Sequence, residues 1–192
     1  MINSLREHTK SLHQEIEKDN LAGLIMDHSI SLAEYKTLLL QNYISYKLVE
    51  NAVIPYLKDF GSIKSDQLEK DLNALDVNLN VVERFKNGIS CSNKVEALGA
   101  AYVVEGSVLG GLMIAKELKN CKNLEDIKEH RFFNGDRNNI SGWKTFLKKI
   151  NSEDFSEEEK LQASNKAKDT FMFFGKVFSE VRSSKIESNS VL

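Results

Sequence analysis

The 192-residue sequence is short of proline, of cysteine and of net charge. One proline, Pro55, and ten glycines are spread through the whole chain. Because prolines and glycines mark turns, their scarcity favours long helices over many short strands. The two cysteines, Cys91 and Cys121, stand in no metal-binding or redox spacing. We therefore interpret both as reduced thiols and expect a cytoplasmic protein.

Charge and hydrophobicity limit the possible partners. The formal net charge is -2, which creates no field that would attract nucleic acid or a membrane surface. No stretch approaches the roughly 18 uninterrupted apolar residues that span a bilayer. The N-terminus, from Met1 to Lys10, is polar and charged, unlike a secretory signal. We expect neither a nucleic acid nor a membrane among the partners.

Hydrophobic periodicity predicts the fold class. Apolar residues recur at about 3.6-residue intervals through most of the chain, and no segment alternates as a strand does. This pattern predicts an all-α protein, a single-domain helical bundle over residues 1–183. The remaining residues, 184–192, are rich in Ser and are predicted to form a flexible C-terminal tail.

Local signals predict where individual helices begin and end. The first helix is predicted from Ile2 to Lys18, and one long apolar helix from about Asn93 to Leu118. Ser31 and Ser156 are each followed three residues later by glutamate, which is the pattern of a capping box at a helix N-terminus. Ser141 is predicted to cap a further helix. The last helix is expected to end near Arg182.

A histidine on the first predicted helix is a candidate metal ligand. Leu5 and Leu12 belong to the apolar stripe of this helix. On a helical wheel, His13 lies about 70° to one side of that stripe. His8 is five residues away, so the two histidines cannot chelate one ion across a helix face. No other cluster supplies a non-haem ligand set. A histidine acting alone suits haem, because the porphyrin itself supplies four ligands.

Two charged residues lie along the same helix edge as His13. Arg6 is placed to pair with a carboxylate such as a haem propionate. Glu17 is placed to accept a hydrogen bond from the second ring nitrogen of His13, directly or through water. The alternative interpretation is that His13 is a boundary histidine beside a solvated edge of arginine and glutamate.

The most apolar predicted helix contains four glycines, each of which costs about 0.5–1 kcal/mol relative to alanine in a helix interior. Gly99, Gly106 and Gly110 fall on one line, and Gly111 follows directly. One interpretation is close packing between helices. The other is a bare wall over a flat ligand, where the helix bends and Ser107 adds a hydroxyl at the same level.

Two segments of the sequence resemble the bacterial branch of the haem oxygenases. Residues 5–13 read LREHTKSLH and are similar to the proximal helix of that family. Residues 102–111 read YVVEGSVLGG and are similar to its glycine-rich distal helix. A weaker match is Trp143 with Phe146 and Leu147, ahead of a phenylalanine-rich last helix.

The resemblance implies a haem oxygenase-like helical bundle and a role for several residues of the first motif. By this resemblance His13 is the proximal iron ligand and Arg6 belongs to the haem-binding set, which Glu17 joins through its position beside His13. Arg6 matches a basic position that contacts a propionate, and Tyr102 is a further propionate neighbour.

The resemblance also implies which residues lie on the distal side of the haem. Gly106, Gly110 and Gly111 match positions that line the haem pocket, and the catalytic group implied there is Gly106, Ser107 and Gly110. Animal-type members carry an aspartate directly after the first distal glycine, whereas this chain has Ser107. Bacterial relatives share that change, so it does not exclude activity. The absence of the aspartate leaves the route of proton delivery open.

The activity implied is the O2-dependent cleavage of haem to biliverdin, with release of CO and iron. Haem is then both substrate and prosthetic group, and electrons come from an external donor such as a ferredoxin, a flavodoxin-like protein or a reductase. Two groups of lysines are candidates for docking an acidic donor: Lys116, Lys119 and Lys122, and Lys144, Lys148 and Lys149.

Three other interpretations of the sequence are open. One is a non-catalytic haem- or bilin-binding protein of the same fold, and another is a helical protein that binds no haem. A non-haem metal enzyme on a helical scaffold is the third, although the chain has no paired Glu-x-x-His motif to support it.

Overall fold

The computed structural model describes residues 1–18, 20–58, 60, 64–136 and 138–188. Within these residues the chain forms α-helices joined by loops and two short 3-10 helices, with no strand, which confirms the all-α class. The helices are α1 (Ile2–Lys18), α2 (Ala22–Met26), α3 (Leu32–Val53), α4 (Lys64–Ala74), α5 (Lys94–Gly106), α6 (Val108–Leu118), α7 (Asn138–Asn151) and α8 (Glu157–Ser188); the 3-10 helices are Asn80–Phe85 and Lys122–Leu124.

Two of the three predicted helix caps are confirmed. At α3, the Glu34 backbone N–H donates to the Ser31 hydroxyl and the Ser31 backbone N–H donates to the Glu34 carboxylate, at 3.3 and 2.8 Å. Ser156 and Glu159 form the same reciprocal pair at the start of α8. The cap at Ser141 is wrong, because α7 begins earlier, at Asn138. The added turn contains the half-buried Ile140, so packing outweighs the local capping signal there.

The long apolar helix predicted from Asn93 to Leu118 is interrupted at Ser107, which separates α5 from α6. The break occurs at the serine and not at the adjacent glycines. The Ser107 hydroxyl donates to the Val104 carbonyl of the preceding turn, at 2.8 Å, and such back-bonding bends helices. The helix is therefore interrupted near the glycines, a side-chain hydrogen bond accompanies the interruption, and the bend itself stays a prediction.

The end of α8 lies farther along the chain than predicted. The helix continues past Arg182 to Ser188, and residues 189–192 lie outside the described part of the chain. The division between a domain over residues 1–183 and a tail over 184–192 stays a prediction.

The core is built around α3 and α8. Helix α3 is buried along nearly its whole length, and α8 packs against α1, α3 and α5. A smaller apolar cluster lies where α1 and α5 meet on α8, and it contains Leu5, Val103, Ala163, Ala167 and Phe171. Helix α8 is thus the common support for the helix that carries His13 and the helix that carries the glycines.

One glycine of the predicted bare line serves helix packing. A Cβ atom at Gly99 would overlap the backbone carbonyl of Ala163 on α8. Only glycine permits this approach of α5 to α8. Gly99 is therefore a packing residue, and the idea of one continuous ligand-facing line from Gly99 to Gly110 is wrong.

By length and composition alone, the stretch Lys94–Leu118 among the described residues is apolar enough to cross a membrane. Half of its most apolar window is buried inside the protein, and the core helices of water-soluble proteins pass the same test.

Candidate functional site

The His13 imidazole lies on the exposed edge of α1, with 54% of its side chain accessible to solvent. Its Nδ1 lies 3.4 Å from a carboxylate oxygen of Glu17, one turn along the helix. Its ring meets Phe171 of α8 edge to face, with 5.6 Å between the ring centroids. Glu17 and Phe171 thus orient the ring, while Nε2 has no hydrogen-bond partner among the described residues.

The other polar residues of α1 divide between its two edges. His8 uses Nδ1 to contact the Ser4 backbone carbonyl at 2.8 Å, so its ring is engaged on its own helix away from His13. The Arg6 side chain is exposed and forms no ion pair within the described part of the chain. The helix therefore presents one oriented imidazole and one unpaired guanidinium to solvent.

Aromatic side chains cover Gly106. The Tyr102 ring lies 5.8 Å from the Trp143 ring of α7, and Trp143 stacks on Phe146 at the same centroid distance. A Cβ atom at Gly106 would lie 3.8 Å from Cη2 of Trp143. Gly106 is therefore faced by the indole of Trp143, and sequence reasoning had not paired these two residues.

Gly110 and Gly111 face open space. A Cβ atom at either position would have no neighbouring atom within 4 Å. Leu109 and Met113 flank them with side chains that are 57% and 60% exposed, a high value for large apolar residues. The first turns of α6 thus combine a bare backbone with uncovered apolar side chains, a surface that suits a flat apolar ligand.

The Ser107 hydroxyl is held from behind by a lysine that sequence reasoning missed. Lys64, at the start of α4, donates from Nζ to Ser107 Oγ at 3.2 Å and also to the Val104 carbonyl. Burial lowers the pKa of Lys64 to about 8, and the nearby carboxylates of Glu105 and Glu50 oppose that shift. No local pattern marks Lys64, because only the fold places it beside the break between α5 and α6.

Lys64 belongs to a buried polar cluster that consists of Tyr46, Glu50, Lys64, Glu105 and Ser107. Glu50 accepts hydrogen bonds from the backbone N–H groups of Lys64 and Ser65, at 2.7 and 3.2 Å, and burial raises its pKa. Burial also raises the pKa of Tyr46, while hydrogen bonding with Ser107 opposes this shift. Glu105 is only 5% exposed. Within the described residues its carboxylate accepts no hydrogen bond.

These features fit a haem group. An oriented imidazole with a free nitrogen is the one protein ligand that haem iron requires, and the uncovered backbone of α6 admits a planar ring at close range. Arg6 offers a guanidinium for a carboxylate. The roles predicted for His13, Arg6, Glu17, Tyr102, Gly106, Ser107, Gly110 and Gly111 stay predictions.

Three solved structures of haem oxygenases have the same fold as this chain. The haem oxygenase of the cyanobacterium Synechocystis, in complex with haem, superposes with a TM-score of 0.71 at 18% identity, covering 98% of this chain and 95% of that one. The NO- and CO-bound enzyme of Neisseria meningitidis gives 0.68 at 20% identity, covering 92% and 89%. That of Leptospira interrogans gives 0.66 at 18%, covering 92% and 97%.

The fold and the site thus define an all-helical protein of the haem oxygenase architecture. The sequence model of the family described as "Heme oxygenase" matches residues 1–180. The chain belongs to the haem oxygenase family, as its two motifs predicted. A comparison with curated protein sequences gives no match.

Proposed function

We propose that this protein is a haem oxygenase that cleaves haem to biliverdin in an O2-dependent reaction, with release of CO and iron. The observation that carries the proposal is the half-exposed His13 imidazole, oriented through Nδ1 and free at Nε2. Haem is its substrate as well as its prosthetic group. The protein is proposed to be soluble and cytoplasmic.

The proximal residues act by holding and orienting. His13 would bind the iron through Nε2, and Glu17 would accept a hydrogen bond from the Nδ1–H group, which selects the tautomer that leaves Nε2 free. Arg6 would pair with a propionate, and Tyr102 would be a second neighbour of the propionates. Bound haem supplies the iron that activates O2 and the ring that is opened.

The distal residues act by shape and by exclusion of water. Gly110 and Gly111 would let the helix backbone approach the ring beside the exposed side chains of Leu109 and Met113. Gly106 would line the ring at the position that the Trp143 indole faces. Ser107 provides a hydroxyl group next to Gly106, between α5 and α6.

The hydrogen bonding of Ser107 is already complete. A hydroxyl group has one donor and two acceptor positions. Ser107 donates to the Val104 carbonyl, accepts from Lys64 and is also hydrogen-bonded to Tyr46. We therefore propose that the proton needed on the distal side comes from a water held by backbone groups, and that Ser107 positions that backbone.

Electrons are proposed to come from an acidic ferredoxin, flavodoxin-like protein or reductase. Lys144 and Lys148 of α7 and Lys119 at the end of α6 are exposed, and α6 packs against α7. Their positive charges would steer an acidic donor toward the helices that adjoin the proposed haem site. Raising the ionic strength is then expected to slow electron transfer from the protein donor but not from ascorbate.

The test is a haem titration followed by ascorbate under air, with spectra recorded throughout. A sharp Soret band that decays into the broad red absorbance of biliverdin is expected. CO release is measured in parallel. Absence of any Soret band would contradict both haem binding and the proposed reaction.

A second candidate is a non-catalytic haem- or bilin-binding protein of the same fold. It is favoured by the hydrogen bonding of Ser107, whose hydroxyl is directed to Val104 and Lys64. A Soret band that forms and then persists under ascorbate or a protein reductant would favour this function over catalysis.

A further inference from the structure

Lys64 contacts the two atoms that characterise the break between α5 and α6. In an uninterrupted helix, the Val104 carbonyl would accept from the N–H of Val108, four residues later. Here that carbonyl accepts from the Ser107 hydroxyl at 2.8 Å and from the Lys64 ammonium group, which also reaches Ser107. A side chain of α4 therefore supports the break from outside the helix.

The Lys64 ammonium group is buried, and no carboxylate among the described residues forms an ion pair with it. Tyr46 of α3 is 3% exposed, and its ring centroid lies 5.7 Å from Lys64 Nζ. The carboxylates of Glu50 on α3 and Glu105 on α5 act on Lys64 from a distance, and neither forms an ion pair with it within the described residues. The ammonium group is thus bound by neutral acceptors.

This environment makes Lys64 unlike a surface lysine. Burial lowers its pKa to about 8, whereas an exposed lysine keeps its proton to about pH 10.4. A hydrogen bond from a charged donor is roughly twice as strong as one from a neutral donor. Loss of the proton therefore weakens both contacts at the break in a mildly alkaline range.

We propose that Lys64 is a positioning residue whose protonation controls the break between α5 and α6, and with it the direction of the Ser107 hydroxyl and the backbone at Gly106. The charged form holds the break, and the neutral form loosens it. The link to the distal side of a haem site rests on the proposed function, but the coupling itself is a property of the haem-free protein.

The chain contains its own reporter for this coupling. Trp143 is the single tryptophan, and its indole faces Gly106, the residue directly before Ser107. A shift of the backbone at Gly106 changes the contacts of the indole and hence its fluorescence. The measurement needs no haem and no turnover.

The experiment is a fluorescence titration of the full-length, haem-free protein from about pH 6 to about pH 9.5, below the range in which an ordinary tyrosine ionises. The wild-type protein is expected to show a transition in Trp143 emission with a midpoint near pH 8. Far-UV circular dichroism at each pH verifies that the helices persist.

Two variants assign the transition to Lys64. Lys64→Arg keeps a positive charge at every pH, so its emission is expected to stay at the acid-form value without a transition. Lys64→Met lacks the charge and is expected to show the alkaline-form emission throughout. Lys119→Met, at an exposed position after α6, is the matched control and is expected to keep the wild-type midpoint.

Ser107→Ala supplies an independent test if neither Lys64 variant folds. Removing one acceptor of the charged group is expected to lower the midpoint by about one pH unit. The proposal is overturned by a wild-type titration without a transition, by a transition that survives in both Lys64 variants, or by an unchanged midpoint in Ser107→Ala.

The same protein separates this inference from the proposed function. A Lys64-dependent transition in a protein that forms no Soret band would support the coupling and contradict the haem site. A Soret band that decays to biliverdin in a protein without the transition would support the proposed function and contradict the coupling. With haem bound, the pH dependence of the Soret band is expected to change in Lys64→Arg as well.

Discussion

The helix that carries His13 and the glycine-rich pair α5 and α6 are both supported by α8, but they are built in opposite ways. On α1, the candidate functional groups are side chains on an exposed edge, where Glu17 of the same helix and Phe171 of α8 orient the His13 ring. On α5 and α6, the candidate function depends on the absence of side chains and on a break supported from α4. The first kind of site is local, whereas the second depends on residues distant in the sequence.

The strongest test of the α1 side is His13→Ala. If the imidazole is the only protein ligand of the iron, its removal is expected to weaken haem binding by about 100-fold and to shift or abolish the Soret band. Haem titration monitored in the Soret region measures the effect, and added imidazole is expected to restore the band in part.

The matched control is His8→Ala, since His8 is engaged with the Ser4 carbonyl on another edge of α1. Wild-type haem affinity is expected for this variant. Equal behaviour of the two variants would show that haem does not select the exposed edge of α1.

The glycines of α5 are expected to respond to substitution quite differently from those of α6. In Gly99→Ala, the added methyl group meets the Ala163 carbonyl, so one of the two helices must move. We expect a loss of about 1–3 kcal/mol in the free energy of unfolding, measured by urea denaturation. A variant as stable as the wild type would mean that α5 and α8 do not pack as closely as described.

Lys64→Met sharpens the contrast through its pH dependence. The folded protein releases the Lys64 proton near pH 8, whereas the unfolded chain holds it to about pH 10.5, so the unfolded chain binds more protons between these values. The contribution of Lys64 to the free energy of unfolding therefore rises with pH in this window, by at most about 1.4 kcal/mol per pH unit.

The measurement is urea denaturation of the wild type and Lys64→Met at several pH values from about 7 to about 9.5. The wild type is expected to gain stability relative to the variant as the pH rises above about 8. Lys119→Met is expected to differ from the wild type by a constant amount. A pH-independent difference for Lys64→Met would argue against an unusual pKa.

Gly110→Ala is expected to change the free energy of unfolding in the direction opposite to Gly99→Ala. Its methyl group meets no atom within 4 Å, and alanine is the better helix former. The variant is expected to be more stable by about 0.5–1 kcal/mol in urea denaturation, while haem turnover falls because the bare backbone is covered. Unchanged turnover would place the ring away from Gly110.

Glu17→Gln is expected to have the smallest effect. Both partners of the contact between His13 and Glu17 are more than half exposed, and exposed ion pairs contribute about 0.2–1 kcal/mol. Haem affinity is therefore expected to fall by less than about fivefold in a Soret titration. A loss as large as that of His13→Ala would mean that Glu17 becomes buried when haem binds.

Local features were predictable from the sequence. The bounds of α1, the caps at Ser31 and Ser156 and the all-helical class follow from contacts between residues three or four apart, and the structure confirms them. The family also followed from two short motifs. The prediction of a cap at Ser141 was wrong because α7 begins three residues earlier, at Asn138, and this added turn contains the half-buried Ile140.

By itself, then, the sequence determined the all-helical class, the bounds of α1, the caps at Ser31 and Ser156, the family, and the edge of α1 that carries His13. Only the tertiary structure decided that Gly99 packs on α8, that Gly110 is uncovered, and that Lys64 reaches the break beside Ser107. The physical reason is the distance along the sequence over which each kind of interaction acts. Periodicity and capping act within one or two helical turns, whereas burial, close backbone approach and a lowered lysine pKa arise when segments far apart in the chain exclude water together.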